Sequence, residues 1–322
     1  ISLIADLFPP GRRGRPTGLF MAGQAISNGL AILVTGQLLA LAAEQRFALL
    51  GLPAEMSPWR QTFVLCGLGG IVVVLAFFTC REPPRAQSSR ADSLWLHSRE
   101  TLAHFARRWR AFLPLYAGFA CCFAAAYASA AWSPTLLIRV FGLTPAQLAK
   151  TLAPTTIAFA VAGPLIGSFV FDPLARRFGE RGRLLLVATA VLAALPSGFA
   201  TWAGTPAAAV LLVASSSAIY PLVGLGVLTS LQMQLPPHMH GFGIAMTGLV
   251  NTAIGAVSGP LLVAWLTEHV FHDPSQVGRS IALVVAPAVL LASLLFAIAT
   301  RAIGSPARGP APGVAAAGGG QH

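Results

Sequence analysis

Residues 8–29, FPPGRRGRPTGLFMAGQAISNG, can be laid without a gap on residues 235–256, LPPHMHGFGIAMTGLVNTAIGA. Pro9 and Pro10 fall on Pro236 and Pro237, Gly14 on Gly241, and Gln24 on Asn251. Each copy is a short loop leading into a long apolar run, and the copies lie six runs apart. A parallel repeat at that distance implies two six-helix halves related by an axis along the membrane normal, with a cavity between them.

Hydropathy supports the repeat. Of 322 residues, 55% are hydrophobic and 10% charged, against roughly 25% charged in an ordinary soluble domain. A helix of about 20 apolar residues crosses a bilayer. Eight such stretches occur, at 17–42, 61–80, 111–138, 151–171, 184–204, 207–234, 242–267 and 280–300, with the last residues of a ninth at 1–8. Their length and number exclude a cleaved signal peptide as the explanation. The fold class is therefore an all-α polytopic membrane protein.

One interruption is long: REPPRAQSSRADSLWLHSRETLAHFARRWR, residues 81–110, with seven arginines and a helical-looking patch from Leu96 to Phe105. The expected organisation is a remainder of an N-terminal bundle at 1–80, a linker at 81–110, a C-terminal six-helix bundle at 111–301, and a disordered Pro/Ala/Gly-rich tail at 302–322. If alternate connections face the cytoplasm, that side carries 16 of the 21 Lys and Arg residues and the other carries 5. The bias sets the linker and the C-terminus inside. In this register three further spans and the start of a fourth would precede Ile1, so the chain reads as an N-terminally truncated fragment.

The net charge of +11 raises nucleic-acid binding, but the charge falls in short clusters between apolar runs rather than on one face of a folded domain. Cys66, Cys80, Cys121 and Cys122 lie in or beside apolar runs without metal-ligand spacing and read as small buried apolar residues. His238 and His240 lack the further ligands that a metal site needs. GLGG at 67–70 sits inside a span, without the strand that a dinucleotide site requires. The expectation is no enzyme, no metal and no cofactor.

Four motifs resemble the major facilitator superfamily, and within it the spinster-like and related organic-solute transporters. SLIADLFPPGRRGRPTGLFMAG, from Ser2, is similar to the end of helix 4, its loop and the start of helix 5. WRQTF at Trp59–Phe63 resembles the start of helix 6, and WSPTLLIRVFGLTPAQ at Trp132–Gln147 the passage from helix 7 to helix 8. GSFVFDPLARRFGERGR at Gly167–Arg183 resembles the signature loop between helices 8 and 9. Pro173 stands there where the family often has arginine, and His238 and His240 replace arginines in the later loop.

The resemblance implies a two-bundle fold, here lacking about the first three and a half helices. It also implies a secondary active transporter of a small organic solute, working by alternating access in a bacterial cytoplasmic membrane. Proton coupling and function as a monomer when full length follow from the same source. The rival readings are a transporter-like sensor or scaffold, or a non-transporting remnant. The family's cavity-lining helices would direct Gln24, Asn28, Tyr116, Tyr127, Trp132, Ser217, Tyr220, Thr247 and Asn251 inward. The competing role for these residues is interhelical hydrogen bonding or, for the aromatics, an interfacial belt. Asp6 with Arg12 or Arg15, and Asp172 with Arg176 or Arg177, are candidate latches at the cytoplasmic face; solvated interfacial charges are the alternative. Small-residue clusters at 67–70, 162–167, 224–226 and 255–259 mark expected close helix approaches, and Pro134, Pro164, Pro221 and Pro260 mark expected bends.

Overall fold

The computed structural model describes residues 14–44, 56–79, 91–236 and 239–302, all of them helix or short connection. In lipid a helix satisfies every backbone hydrogen bond within its own segment, so apolar runs of this length fold as helices. Seven described helices are long and apolar enough to cross a membrane, and Gly29–Ala43 adds a shorter apolar stretch.

Two helices come before the linker: α1 (Gly14–Ala43) and α2 (Pro58–Phe77). The expected linker stretch holds α3 (Ala91–Arg107), which confirms and extends the helical patch read between Leu96 and Phe105. Then follow α4 (Trp109–Phe141), α5 (Pro145–Leu192), the single turn α6 (Leu195–Gly198) and α7 (Pro206–Gln234). The next span runs through α8 (His240–Val250), a π-helical turn at Asn251–Ala256, α9 (Val257–Trp265) and a second π-helical turn at Leu266–Val270. The last is α10 (Val277–Ala302).

Local chemistry explains the boundaries of α5. The Thr144 hydroxyl accepts from the Gln147 amide at 3.3 Å, and the Gln147 side chain accepts from the Thr144 amide at 2.8 Å, a reciprocal cap. The signature loop expected at Gly167–Arg183 is mostly helical. Backbone helix continues through it and breaks at one residue, Gly179, whose φ of 67° and ψ of −164° suit glycine alone. The chain thus turns between the spans Pro145–Ile166 and Gly179–Gly198 with helix on both sides of the turn.

The core lies among α4, α5, α7, α10 and the α8–α9 span, where Phe112, Leu115, Leu137, Leu152, Val223 and Phe296 are buried. Lipid tails are as apolar as these side chains, so close contact rather than exclusion of water holds such helices together. Glycine lets backbones meet. A Cβ at Gly163 would lie 2.1 Å from the Ala218 carbonyl oxygen, and one at Gly259 would lie 2.1 Å from that of Ala124. The Thr267 hydroxyl donates to Ser280 at 2.8 Å and the Ser293 hydroxyl to the Ala188 carbonyl at 2.7 Å, joining α10 to its neighbours.

The small-residue reading holds for 162–167, 224–226 and 255–259 but fails for 67–70. Gly67, Gly69 and Gly70 on α2 face open space among the described residues. Cys66 on the same helix is exposed, which corrects the expectation that it is buried; Cys122 in the core is buried. The cause is shared, since α2 has α1 as its main neighbour among the described residues. A contact that the sequence did not suggest joins α1 to α5: Gly29 sits against Ile157, and a Cβ at Gly36 would lie 2.9 Å from the Pro145 carbonyl.

Candidate functional site

Helix α4 presents Phe112, Tyr116, Phe119, Phe123 and Tyr127 at spacings of three and four, which places them along one face. The rings of Phe119 and Phe123 are 4.5 Å apart, and those of Phe123 and Tyr127 are 6.4 Å apart. Phe105 of the linker helix closes one end of the row, 4.7 Å from Phe112 and 5.6 Å from Tyr116.

Three polar groups on α4 reach the span formed by α8 and α9. The Tyr116 hydroxyl donates to the Gly243 carbonyl at 3.1 Å. The Asn251 amide donates to the Tyr127 hydroxyl at 3.4 Å, and the Trp132 indole N–H donates to the Pro260 carbonyl at 3.0 Å. Residue numbers rise together on both helices, so the two run parallel. Of the three contacts, Tyr127 with Asn251 alone joins two side chains, and Asn251 opens the first π-helical turn. Gly255 in that turn lies against Phe123. The π-turn is thus pressed onto the aromatic row, with the polar pair at its edge. The Asn251 Oδ1 atom is buried and accepts no hydrogen bond.

The other expected residues fall elsewhere. Thr247 is 4% exposed and its hydroxyl donates to the Ile244 carbonyl of its own helix at 2.6 Å. Tyr220 is 5% exposed, its hydroxyl facing those of Ser129 and Ser197 inside the bundle without a formed hydrogen bond. Neither lines either of the two cavities described below, nor do Tyr127 and Asn251. Ser217 is half-buried on α7. Gln24, Asn28, Arg15, Asp172 and Arg176 lie on helical backbone whose side chains are outside the described set, and Asp6 and Arg12 lie outside the described residues altogether. Arg177 is exposed.

An ion pair absent from the sequence reading joins Arg183 to Glu180 at 3.1 Å, with the Arg183 side chain 9% exposed. It follows Gly179, and the Ser230 hydroxyl of α7 faces the Glu180 carboxylate. The charge-rich stretch GERGR is a visible signal, but it reads only as the end of the signature loop. No group of three His, Cys, Asp or Glu side chains converges among the described residues. Two cavities stand out: one of about 560 Å³ beside α3, and an apolar one of about 360 Å³ lined by residues of α4, the α8–α9 span and α10.

These features define an all-helical polytopic membrane protein. Residues 1–260 match the family model described as Major Facilitator Superfamily, and the chain belongs to that family. It is 26% identical over 307 residues to a protein of Mycolicibacterium smegmatis described as an MFS-type efflux pump, covering 92% of this chain and 66% of that one. It is also 26% identical over 337 aligned residues to Protein spinster of Drosophila melanogaster, covering 96% of this chain and 52% of the relative. The chain therefore spans less than two thirds of either relative's length. Among solved structures, a bacterial homolog of the human lysosomal transporter spinster, in an inward-facing and unoccupied conformation, superposes with a TM-score of 0.67 at 21% identity. That superposition covers 94% of this chain and 75% of the other. The inward-facing occupied form gives 0.62 at 22% identity, covering 93% and 70%. Both likenesses carry the fold: two bundles of which part of the N-terminal one is represented here.

Proposed function

We propose that this chain is the larger part of a secondary transporter that moves a small organic solute by alternating access, without covalent chemistry. The observation that carries this reading is the Tyr127–Asn251 pair, set in an aromatic row against a π-helical turn. Such turns frequently occur at functional sites, and an aromatic row with a few polar groups suits an amphipathic organic solute better than a bare ion. Gln24, which the internal repeat lays on Asn251, is the proposed counterpart across the cavity that the repeat implies between the halves, with Asn28 one turn further along α1. Coupling to protons, function as a monomer, placement in a bacterial inner membrane and a cytoplasmic C-terminus belong to the same proposal; the last rests on the distribution of basic residues. The latches proposed at Asp172 with Arg176 or Arg177, and at Asp6 with Arg12 or Arg15, would close the cytoplasmic side.

The test is uptake and efflux in proteoliposomes under an imposed pH gradient. It compares this chain with a version extended upstream to the length of the relatives. The extended version is expected to move at least one solute of an organic panel, and Asn251→Leu to cut that flux about tenfold at unchanged expression and melting temperature. Transport that ignores the pH gradient would remove proton coupling, and a correctly folded extended chain that moves nothing would overturn the carrier reading.

A further inference from the structure

Arg99, Arg107, Arg108 and Arg110 are all exposed, at the end of the linker helix and the start of α4. Glu100 is the one acid in the stretch from Arg99 to Arg110. Between α3 and the residue before α8 opens the cavity of about 560 Å³, lined by Arg99, Glu100, Ala103, His104, Arg107 and Met239. The Nε2 atom of His104 is buried and has no hydrogen-bond partner. Burial first, and then the nearby guanidinium groups of Arg108 and Arg107, push the His104 imidazole below its ordinary range.

Depth in the membrane is set by the neighbours. Trp109 begins the span Trp109–Phe141, and tryptophan at the end of a span marks the headgroup level. Leu102, Trp109 and Leu113 are 47%, 54% and 59% exposed, an apolar surface beside the charged one. The Arg110 guanidinium lies 5.7 Å from the centre of the Trp109 ring. A polybasic segment adjoining a span attracts anionic lipid, and an arginine fork matches phosphate oxygens two at a time.

We infer that this cavity binds the phosphate headgroup of an anionic phospholipid, with the acyl chains lying over Trp109 and Leu113. Charge complementarity selects that occupant. A zwitterionic lipid brings its own cation to the arginines, and free phosphate leaves the apolar surface uncovered. The bound lipid ties the linker helix to the bilayer at the entrance to α4. This site is separate from the Tyr127–Asn251 pair and does not depend on what the protein moves.

The test is native mass spectrometry of the full chain released from mixed micelles containing equal amounts of phosphatidylglycerol and phosphatidylcholine. Phosphatidylglycerol is expected to be retained in preference, and its retention to fall as salt rises. Arg99→Gln or Arg107→Gln alone is expected to lower that retention by about fivefold, and the two together further, while Arg279→Gln, a loss of charge equal to either single change at another exposed position, leaves it unchanged. Retention that survives the double substitution, falls equally with Arg279→Gln, or is independent of salt would overturn the inference. Displacement of the lipid by millimolar inorganic phosphate would do so as well, by showing a site for the free anion. Melting temperature and elution profile of each variant show that the fold is kept.

Discussion

Helices α2 and α4 are both apolar enough to span a membrane, yet 11% of an apolar 18-residue stretch of Pro58–Phe77 is buried against 61% of the corresponding stretch of Trp109–Phe141. On α2, Phe63, Val72 and Phe77 stand out by 72%, 66% and 72%, while on α4 Phe112 and Leu115 are almost fully enclosed. Hydropathy decides whether a segment is helical and whether it enters lipid, and here it treats the two alike. Burial depends on partners, which α4 finds in α7, α10 and the α8–α9 span, whereas among the described residues α2 rests chiefly on α1.

The sharpest way to break this contrast is to remove one large side chain from each region. Phe296→Ala, in the core, is expected to lower unfolding free energy by about 2–3 kcal/mol, less than is usual for a buried aromatic in water because lipid is as apolar as the core and packing contacts are what is lost. Phe77→Ala is expected to change it by less than about 0.5 kcal/mol. Equal losses in thermal or denaturant unfolding would erase the distinction.

A smaller effect comes from adding atoms. Gly163→Val or Gly259→Val drives a side chain onto a neighbouring carbonyl and is expected to cost about 1–3 kcal/mol. Gly69→Val on α2, with nothing within 4 Å, is expected to be neutral in the same melts. Next in size is the Tyr127–Asn251 contact. A double-mutant cycle with Tyr127→Phe and Asn251→Leu is expected to give a coupling near 0.6 kcal/mol, the usual value for such contacts in membranes, and a value of zero would remove that contact from the bundle's stability.

The smallest effect lies outside the spans, at Asp273. Hydrogen bonds from the Ser275 hydroxyl, the Ser275 amide and Gln276 hold its carboxyl below the usual carboxylate range. A depressed acid stabilises the fold above its unfolded pKa and loses that contribution as pH falls through the folded value. Asp273→Ala is therefore expected to lower the melting temperature slightly at neutral pH, with the difference shrinking toward strongly acidic pH. A difference that grows on acidification would contradict this sign.

The spans were legible because the cost of an unsatisfied backbone group in lipid leaves a long apolar run little choice but helix. The turn at Gly179 was not. Asp172, Arg176, Arg177, Arg181 and Arg183 marked a connection between two spans, yet charged residues can continue a helix beyond the bilayer, and only the backbone reveals the one-residue break. Among the candidate site residues, Tyr127 and Asn251 were legible as polar groups inside spans, and the structure places them side by side. The partners of Tyr116 and Trp132 were not legible, because both are backbone carbonyls, and every residue has one. Tyr220 looked like Tyr127 in sequence but is enclosed by α7's neighbours, a difference of rotation about the bundle that composition does not record. The approach of Gly29 and Gly36 to α5 was missed because its partner lies in the other bundle.

The two π-helical turns that flank α9 have a geometric corollary. A π-turn closes its hydrogen bonds over five residues instead of four and so takes in about one extra residue, equivalent to about 100° of rotation. Residues before Asn251 and residues after Val270 are consequently out of phase with a single uninterrupted α-periodicity. A helical wheel drawn through His240–Val270 therefore assigns Trp265 and Thr267 to the wrong azimuth relative to Thr247, and a cysteine-accessibility scan along this span would show its periodic signal reset twice.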